Sequence, residues 1–119
     1  MNLSKGFKMF NFEREAIYRA TERLRNTLRD NLIAVIAFGS RVRGDFSGES
    51  DFDILVIVKK RDYQVIKNIT EVFTEEEDKT GIPFSPIVKP VEVIEKEKAY
   101  NTTFYRNIKK EGVIFYGRA

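Results

Sequence analysis

The chain has 119 residues, a net charge of +3, and neither cysteine nor histidine. Those two absences exclude disulfides, thiolate metal sites, cysteine nucleophiles, the Ser-His-Asp triad and the common zinc sites. Any chemistry must therefore rest on carboxylates, hydroxyls, Lys and Arg, or on a hard metal ion. The small positive charge suits an anionic ligand but is too ordinary to indicate nucleic acid.

The length of the chain is typical of one domain, so we expect residues 1–119 to form a single domain. No apolar segment reaches the roughly 20 residues that cross a bilayer, and no signal-peptide pattern opens the chain. We therefore expect a soluble, cytoplasmic protein with no membrane partner. The oligomeric state stays open, and a homo-oligomer is compatible with the sequence.

The first half of the chain predicts one helix followed by two strands. Four apolar residues recur at helical spacing within residues 11–30: Ile17, Ala20, Leu24 and Leu28. Asn11 is a suitable cap for the start of this helix. Residues 32–38 are apolar throughout and rich in β-branched side chains, which indicates a strand covered on both faces that ends at Gly39. Residues 53–58 predict a second buried strand.

The second half of the chain predicts three helices and two further strands. The first helix covers residues 62–78, with Asp62 near its cap and four residues facing inward: Tyr63, Ile66, Ile69 and Phe73. Residues 82–89 can form a third strand, although two prolines restrict it to an edge or an irregular ladder. Short helices are predicted at about residues 91–98 and 101–111, then a C-cap at Gly112 and a strand at 113–116. This order indicates an α/β (α+β) fold with helices packed on a small mixed sheet.

Two aspartates, Asp51 and Asp53, lie at the start of the second predicted strand. Because side chains alternate along a strand, both carboxylates point the same way while Phe52 points into the core. Adjacent carboxylates repel each other and lose hydration at the edge of an apolar sheet, which a fold tolerates where a cation lies between them. Oxygen ligands of this kind suit Mg²⁺ or Mn²⁺, with phosphate oxygens completing the coordination. We therefore predict a metal site at Asp51 and Asp53.

The turn after the first strand predicts a phosphate site. Gly39 lacks a Cβ and lets another group approach the backbone, and Ser40 offers a hydroxyl and an amide. A short helix at residues 40–43 would add amide donors, and the guanidinium groups of Arg41 and Arg43 can bind phosphate oxygens. Each feature alone is compatible with an ordinary turn or with solvated surface residues. The combination with the aspartates predicts binding of a metal–nucleoside triphosphate.

The same residues carry a resemblance to a known family. Gly39-Ser40, ten further residues and then an Asp-x-Asp match the G-S-x10-D-x-D signature of the DNA polymerase beta-like nucleotidyltransferase superfamily. The fuller "GSRVRGDFSGESDFDILV" is similar to the minimal nucleotidyltransferase (MNT) proteins of prokaryotes. The resemblance implies nucleotidyl transfer, AMP from ATP in the first instance, in which an acceptor hydroxyl attacks the α-phosphate and pyrophosphate leaves.

The resemblance also implies roles for individual residues. Asp51 and Asp53 would be the catalytic metal ligands for Mg²⁺ (or Mn²⁺). Gly39 and Ser40 would hold the β- and γ-phosphates, and Arg41 would help to neutralise them. Catalysis of this type consists mostly of positioning and of charge neutralisation by the metal.

The sequence departs from the family pattern at a third carboxylate, which the family has on a later strand. The candidate strand at residues 82–89 contains no Asp or Glu, and its polar side chains are Ser85 and Lys89. Glu92 follows Pro90, but its surroundings are typical of the exposed face of a short helix. The second metal site and the general base therefore stay unassigned.

Minimal members of the family often occur beside a HEPN-domain protein in a toxin–antitoxin pair. The resemblance therefore implies an antitoxin that adenylylates its HEPN partner, binds it, or does both. Two hypotheses follow from the sequence. The first is a metal-dependent nucleotidyltransferase that modifies the partner, and the second is a weakly active or inactive module of the same fold that neutralises the partner by contact.

Overall fold

The structure is a computed structural model that describes residues 9–43 and 51–117. Its elements are α1 (Asn11–Leu28, followed by a 3-10 turn at Arg29–Asn31), β1 (Leu32–Phe38), α2 (Ser40–Arg43), β2 (Phe52–Val58), α3 (Tyr63–Thr80), β3 (Phe84–Pro90), α4 (Val91–Ala99), α5 (Thr103–Glu111) and β4 (Val113–Gly117). The predicted order of helices and strands is confirmed, and so is the mixed α/β class. None of the described helices combines the length and the apolar character needed to cross a bilayer.

The described strands form one mixed sheet in the order β3-β2-β1-β4. β1 pairs antiparallel with β2 and β4, whereas β3 pairs parallel with β2. β3 lies at an edge, as its prolines require. Phe38 at the end of β1 is opposite Asp53 of β2, and Asp53 is beside Ser85 of β3. The end of β1 and the starts of β2 and β3 therefore meet at one end of the sheet.

Different helices cover the two faces of the sheet. The α1/α3 face carries the larger core, which takes alternate residues of β2: Phe52, Ile54, Val56 and Val58. The α4/α5 face carries a smaller core that includes Leu55 and Ile57 of β2, with Ile94 and Ile108 from the helices. Because side chains alternate along a strand, Asp53 lies on the α4/α5 face.

The start of α1 differs from the prediction, because Phe10 and not Asn11 is the N-cap residue. The Phe10 carbonyl accepts hydrogen bonds from the amides of Glu13 and Arg14, both at 3.1 Å. The Glu13 carboxylate reaches back and accepts the Phe10 amide at 2.9 Å. Glu13 thus satisfies the amide of the N-cap residue, whereas the capping that we expected of Asn11 would have satisfied an amide of the first helical turn. All four apolar residues predicted to face inward on α1 are buried.

The inward face of α3 begins about one turn later than predicted. Asp62 caps the helix as predicted, by accepting the amide of Val65 at 2.9 Å. Ile69 and Phe73 are buried as expected, but Tyr63 is 78% exposed, so its predicted inward position is wrong. The buried stripe starts after the first turn of α3 and continues to Glu76, whose carboxylate binds Arg19 of α1.

Gly112 ends α5 as predicted, but for a different physical reason. Its φ of −65° lies outside the left-handed region of a typical glycine C-cap. A Cβ at this position would lie 2.5 Å from the Ile108 carbonyl oxygen and 2.8 Å from Cγ2 of Ile36. Glycine is therefore required here because α5 meets β1 closely at the point where β4 begins.

Candidate active site

The turn at Gly39 joins β1 to α2 and lies against the carboxylate of Asp53. Gly39 has a φ of +92°, a conformation that side chains with a Cβ rarely adopt. A Cβ built on Gly39 would lie 2.3 Å from Oδ2 of Asp53. The single turn of α2 is closed by the Arg43 amide, which donates to the Gly39 carbonyl at 3.1 Å. The structure thus brings the predicted phosphate turn and one predicted metal ligand into direct proximity, with Ser40 half-buried beside them.

The charges of Asp51 and Asp53 interact at the start of β2. Asp51 is exposed and Asp53 is half-buried. Burial raises the pKa of Asp53 above its ordinary value, the negative charge of Asp51 raises it further, and the positive charge of Arg43 opposes both effects. A cation between the two carboxylates would relieve this repulsion. The pair therefore fits one divalent cation bound through oxygen, which would supply charge neutralisation to a phosphate ligand.

Arg41 lies on the opposite side of the sheet from Asp53. Its guanidinium is buried, binds Glu13 with a distance of 2.7 Å between Nη2 and Oε2, and lies 4.5 Å from the centre of the Phe52 ring. Phe52 belongs to the α1/α3 face, whereas Asp53 belongs to the α4/α5 face. The structure therefore does not bring Arg41 together with the carboxylates, and its predicted contact with phosphate stays a prediction.

Arg43 is the arginine that reaches the site. Its side chain is 43% exposed, and its guanidinium binds Glu111 at the end of α5 with a distance of 2.7 Å between Nη1 and Oε2. It is also close enough to Asp53 for its charge to lower the pKa of that carboxyl group. In an α-helix, residues two apart point about 200° from each other, which explains why Arg41 and Arg43 face opposite sides of α2.

The third carboxylate is absent from β3 in the structure as in the sequence. Ser85 is the β3 residue beside Asp53. Glu92 follows Pro90, which is beside Val58 at the other end of β2. The five residue-to-residue steps from Ser85 to Pro90 span roughly 16 Å, so Glu92 is too distant to share an ion with Asp53. Within residues 9–43 and 51–117, no three acidic side chains form a group that could hold a metal. Residues 44–50 of the motif lie outside the described residues.

A match to a known family covers most of the chain. The profile of the family described as "Polymerase beta, Nucleotidyltransferase" matches residues 22–119, which include the Gly39 turn and both aspartates. The chain belongs to this nucleotidyltransferase family. The resemblance inferred from the G-S-x10-D-x-D signature is thereby confirmed.

Two proteins of Methanocaldococcus jannaschii resemble this nucleotidyltransferase in sequence. Both carry the provisional name of protein adenylyltransferase. MJ0604 is 33% identical over 104 residues, which cover 87% of this chain and 98% of the relative. MJ0141 is 34% identical over 90 residues, which cover 72% of this chain and 81% of the relative. These relatives support the prediction that the protein is an enzyme.

Solved structures confirm the fold of this nucleotidyltransferase. A protein of Sulfolobus solfataricus, provisionally described as a nucleotidyltransferase, has a TM-score of 0.51 and 26% identity, and the match covers 87% of this chain and 79% of that one. Spectinomycin adenyltransferase AAD(9) of Enterococcus faecialis has a TM-score of 0.61 and 18% identity, with coverages of 89% and 56%. A mutant MntA–HpeT toxin–antitoxin structure has a TM-score of 0.56 and 14% identity. That match covers 85% of this chain and 73% of the other.

Sequence reasoning missed two carboxylates that support the site, Glu13 and Glu111. Each binds an arginine of α2, yet they are 28 and 68 residues away from those arginines along the chain. Glu13 is an acidic residue in the first turn of α1. Phe10 lacks the hydroxyl of a typical capping box, and no local pattern connects either carboxylate to α2 of the nucleotidyltransferase.

Proposed function

We propose that this nucleotidyltransferase transfers AMP from ATP to a hydroxyl group of a partner protein, with a Mg²⁺ or Mn²⁺ ion bound by Asp51 and Asp53. The observation that carries the proposal is the position of the Asp53 carboxylate against the Gly39 turn. Such proximity allows one ligand to contact the metal and the turn at the same time. A nucleoside triphosphate bound to a divalent cation has the required charge and size.

In this proposal each residue of the site has a distinct task. Gly39 and Ser40 bind the β- and γ-phosphates, and Arg43 contributes the positive charge on the exposed side. The divalent cation, when bound, supplies neutralisation of the phosphate charge that develops as pyrophosphate leaves. Arg41 lies behind the turn, where its guanidinium binds Glu13. Catalysis then depends mainly on positioning of the acceptor hydroxyl and the α-phosphate.

The acceptor that we propose is a HEPN-domain protein, in the cytoplasm. The sequence relatives provisionally named protein adenylyltransferases support a protein acceptor. One chain of the MntA–HpeT toxin–antitoxin structure has the same fold, which supports a toxin–antitoxin pairing for this protein. A tyrosine hydroxyl of such a partner is the acceptor group that the family resemblance implies.

A second candidate function is a binding module that neutralises the partner by contact. Ser85, a neutral residue beside Asp53, favours this alternative, because two carboxylates hold one cation less completely than three. In that case the site would be weakly active or inactive while the partner complex still formed.

Thermal unfolding with MgATP tests the site assignment. A ligand present at 100 times its Kd adds about 2.7 kcal/mol to the stability of the folded protein, so MgATP should raise the Tm clearly. In Asp51→Ala this increase should disappear. Asp62→Asn is the matched control, because Asp62 caps α3 and asparagine caps equally well. An unchanged MgATP effect in Asp51→Ala would refute the assignment.

Label transfer separates the two candidate functions. The protein is incubated with ATP labelled in the adenine ring, Mg²⁺ and the co-encoded partner. If the partner becomes labelled, and if Asp53→Asn abolishes this labelling, the result supports the enzyme. Tight partner binding that Asp53→Asn leaves unaffected, without transfer of label by the unmodified protein, supports the binding module instead.

A further inference from the structure

Glu13 makes two contacts near the start of α1, one partly buried and one buried. Its Oε1 accepts the amide of Phe10 at 2.9 Å, and its Oε2 accepts Nη2 of Arg41 at 2.7 Å. The side chains of Glu13 and Arg41 are 5% and 9% exposed. Ion pairs with so little access to water are expensive to form, because both charges lose hydration.

The partners of this ion pair are placed at the back of the site. Arg41 follows Ser40 directly, and its guanidinium lies over the ring of Phe52. Phe52 in turn is flanked in the chain by Asp51 and Asp53. A single buried cluster thus connects the start of α1, the phosphate turn and the strand residue between the two carboxylates. It contacts the site from the α1/α3 face, opposite the side from which a ligand would enter.

We propose that Glu13 is a positioning residue for the nucleotide site. The Glu13 carboxylate binds the guanidinium of Arg41, which is a residue of α2. This ion pair keeps α2 in place, and α2 in turn keeps the Gly39 turn against Asp53. α2 is one turn long and cannot maintain its own position, so it depends on the side chains that anchor it, namely Arg41 and the buried Val42. Without Glu13 the buried guanidinium would lose this ion pair, and α2 and the turn would be held less firmly.

This inference rests on the proposed binding of MgATP at the Gly39 turn, and it adds a residue that the family match leaves out. The matched region begins at residue 22, whereas Glu13 lies in the first turn of α1. Nucleotide affinity should therefore depend on a helix turn that does not touch the nucleotide. By linkage, MgATP should in turn stabilise the contact between Glu13 and Phe10.

A second ion pair of α1 offers a matched control. Arg19 binds Glu76 of α3 with a distance of 3.0 Å, and the Glu76 side chain is 4% exposed. Like Glu13, Glu76 is a buried glutamate that pairs with an arginine and ties α1 to another helix. Neither Arg19 nor Glu76 belongs to the turn or to β2. Glu76→Ala therefore reproduces the loss of a buried glutamate and of its ion pair away from the site, although Arg19 itself is 43% exposed.

The experiment compares Glu13→Ala with Glu76→Ala by calorimetric titration of MgATP and by transfer kinetics with the partner. Both variants should unfold at lower temperature than the unmodified protein. Glu13→Ala should bind MgATP about tenfold or more weakly, since small misplacements of a binding group carry penalties of this order, and KM should change more than kcat. Glu76→Ala should retain the affinity of the unmodified protein. Equal affinities in the two variants would overturn the proposal.

Glu13→Gln keeps the test decisive if Glu13→Ala does not fold. Glutamine retains one oxygen acceptor but no charge, so its MgATP affinity should lie between those of Glu13→Ala and the unmodified protein. An affinity equal to that of the unmodified protein would contradict the inference. Amide hydrogen exchange gives a separate readout, because MgATP should slow exchange at Phe10 in the unmodified protein and less so in Glu13→Gln. Failure of the unmodified protein to bind MgATP would instead refute the proposed function.

Discussion

The two faces of the sheet divide the work of stability and chemistry between them. The α1/α3 face carries the larger continuous core and a buried ion pair, Glu13–Arg41. The α4/α5 face carries a smaller core, the Asp53 carboxylate, and ion pairs that water reaches, such as Arg43–Glu111. Neighbouring residues of one strand therefore serve different purposes. Charged groups that would contact a ligand lie where water reaches them, so breaking their ion pairs costs little free energy. Charged groups that hold the turn are buried, so breaking their ion pairs costs much more.

The largest expected difference between the faces concerns adjacent residues of β2. Ile54 is fully buried on the α1/α3 face, so Ile54→Ala should lower the free energy of unfolding by about 2–5 kcal/mol, measured by urea denaturation. MgATP affinity of the folded variant should be unchanged. Asp53→Asn should have the reverse pattern, with loss of MgATP binding and no loss of stability.

The sign of the Asp53 effect follows from its pKa. The folded state raises the pKa of Asp53, so ionisation of this group lowers the stability of the metal-free protein as the pH rises through that pKa. An asparagine side chain does not ionise, so the metal-free Asp53→Asn variant should be at least as stable as the unmodified protein at neutral pH. If Asp53→Asn lost as much stability as Ile54→Ala, the two faces of the sheet would not differ in their contribution to stability.

An intermediate effect is expected at Arg43 on the α4/α5 face. Arg43→Gln removes one positive charge near Asp53, so KM for MgATP should rise by about tenfold, equivalent to about 1.4 kcal/mol. Its ion pair with Glu111 is 43% exposed on the arginine side, and a pair of this kind contributes little to stability. The Tm should therefore change little. Lys109→Gln, at an exposed lysine on α5, is the control for the loss of one charge. Equal KM values for the two variants would remove Arg43 from the site.

The smallest expected effect is a pH-dependent one at Glu97, also on the α4/α5 side. A hydrogen bond from Lys89 holds the pKa of Glu97 below its ordinary value, with a further hydrogen bond from Thr102. A lowered folded-state pKa stabilises the protein above the ordinary value of about 4.3, and this stabilisation is lost as the pH falls through the folded-state pKa. At neutral pH, Glu97→Gln should reduce the unfolding free energy by about 1 kcal/mol.

The difference between the unmodified protein and Glu97→Gln should shrink as unfolding is repeated at progressively lower pH. Glu95→Gln, at an exposed position of the same helix, serves as the comparison variant and should show a smaller difference at neutral pH. A Glu97→Gln difference that stays constant with pH would show that the hydrogen bond to Lys89 does not act through the ionised carboxylate.

The sequence predicted those features of the structure that are determined by short segments of the chain. The apolar run of β1 and the helical spacing in α1 are properties of short segments, and both were predicted to within two residues. The proximity of the Gly39 turn and Asp53 was implicit in the combined motif, which predicted one ligand bound by both. The sequence did not predict which arginine faces the site. That depends on the rotation of a four-residue helix and on Glu13 and Glu111, which are distant along the chain.

The two edges of the described sheet differ in their capacity to accept another strand. β3 carries Pro86 and Pro90, which lack amide hydrogens, whereas β4, at residues 113–117, contains no proline. Incoming chains add to a sheet through amide and carbonyl groups, so proline at an edge discourages such growth. Aggregation by edge-to-edge addition would therefore be directed to β4, and charged substitutions that improve solubility at high concentration belong on that strand.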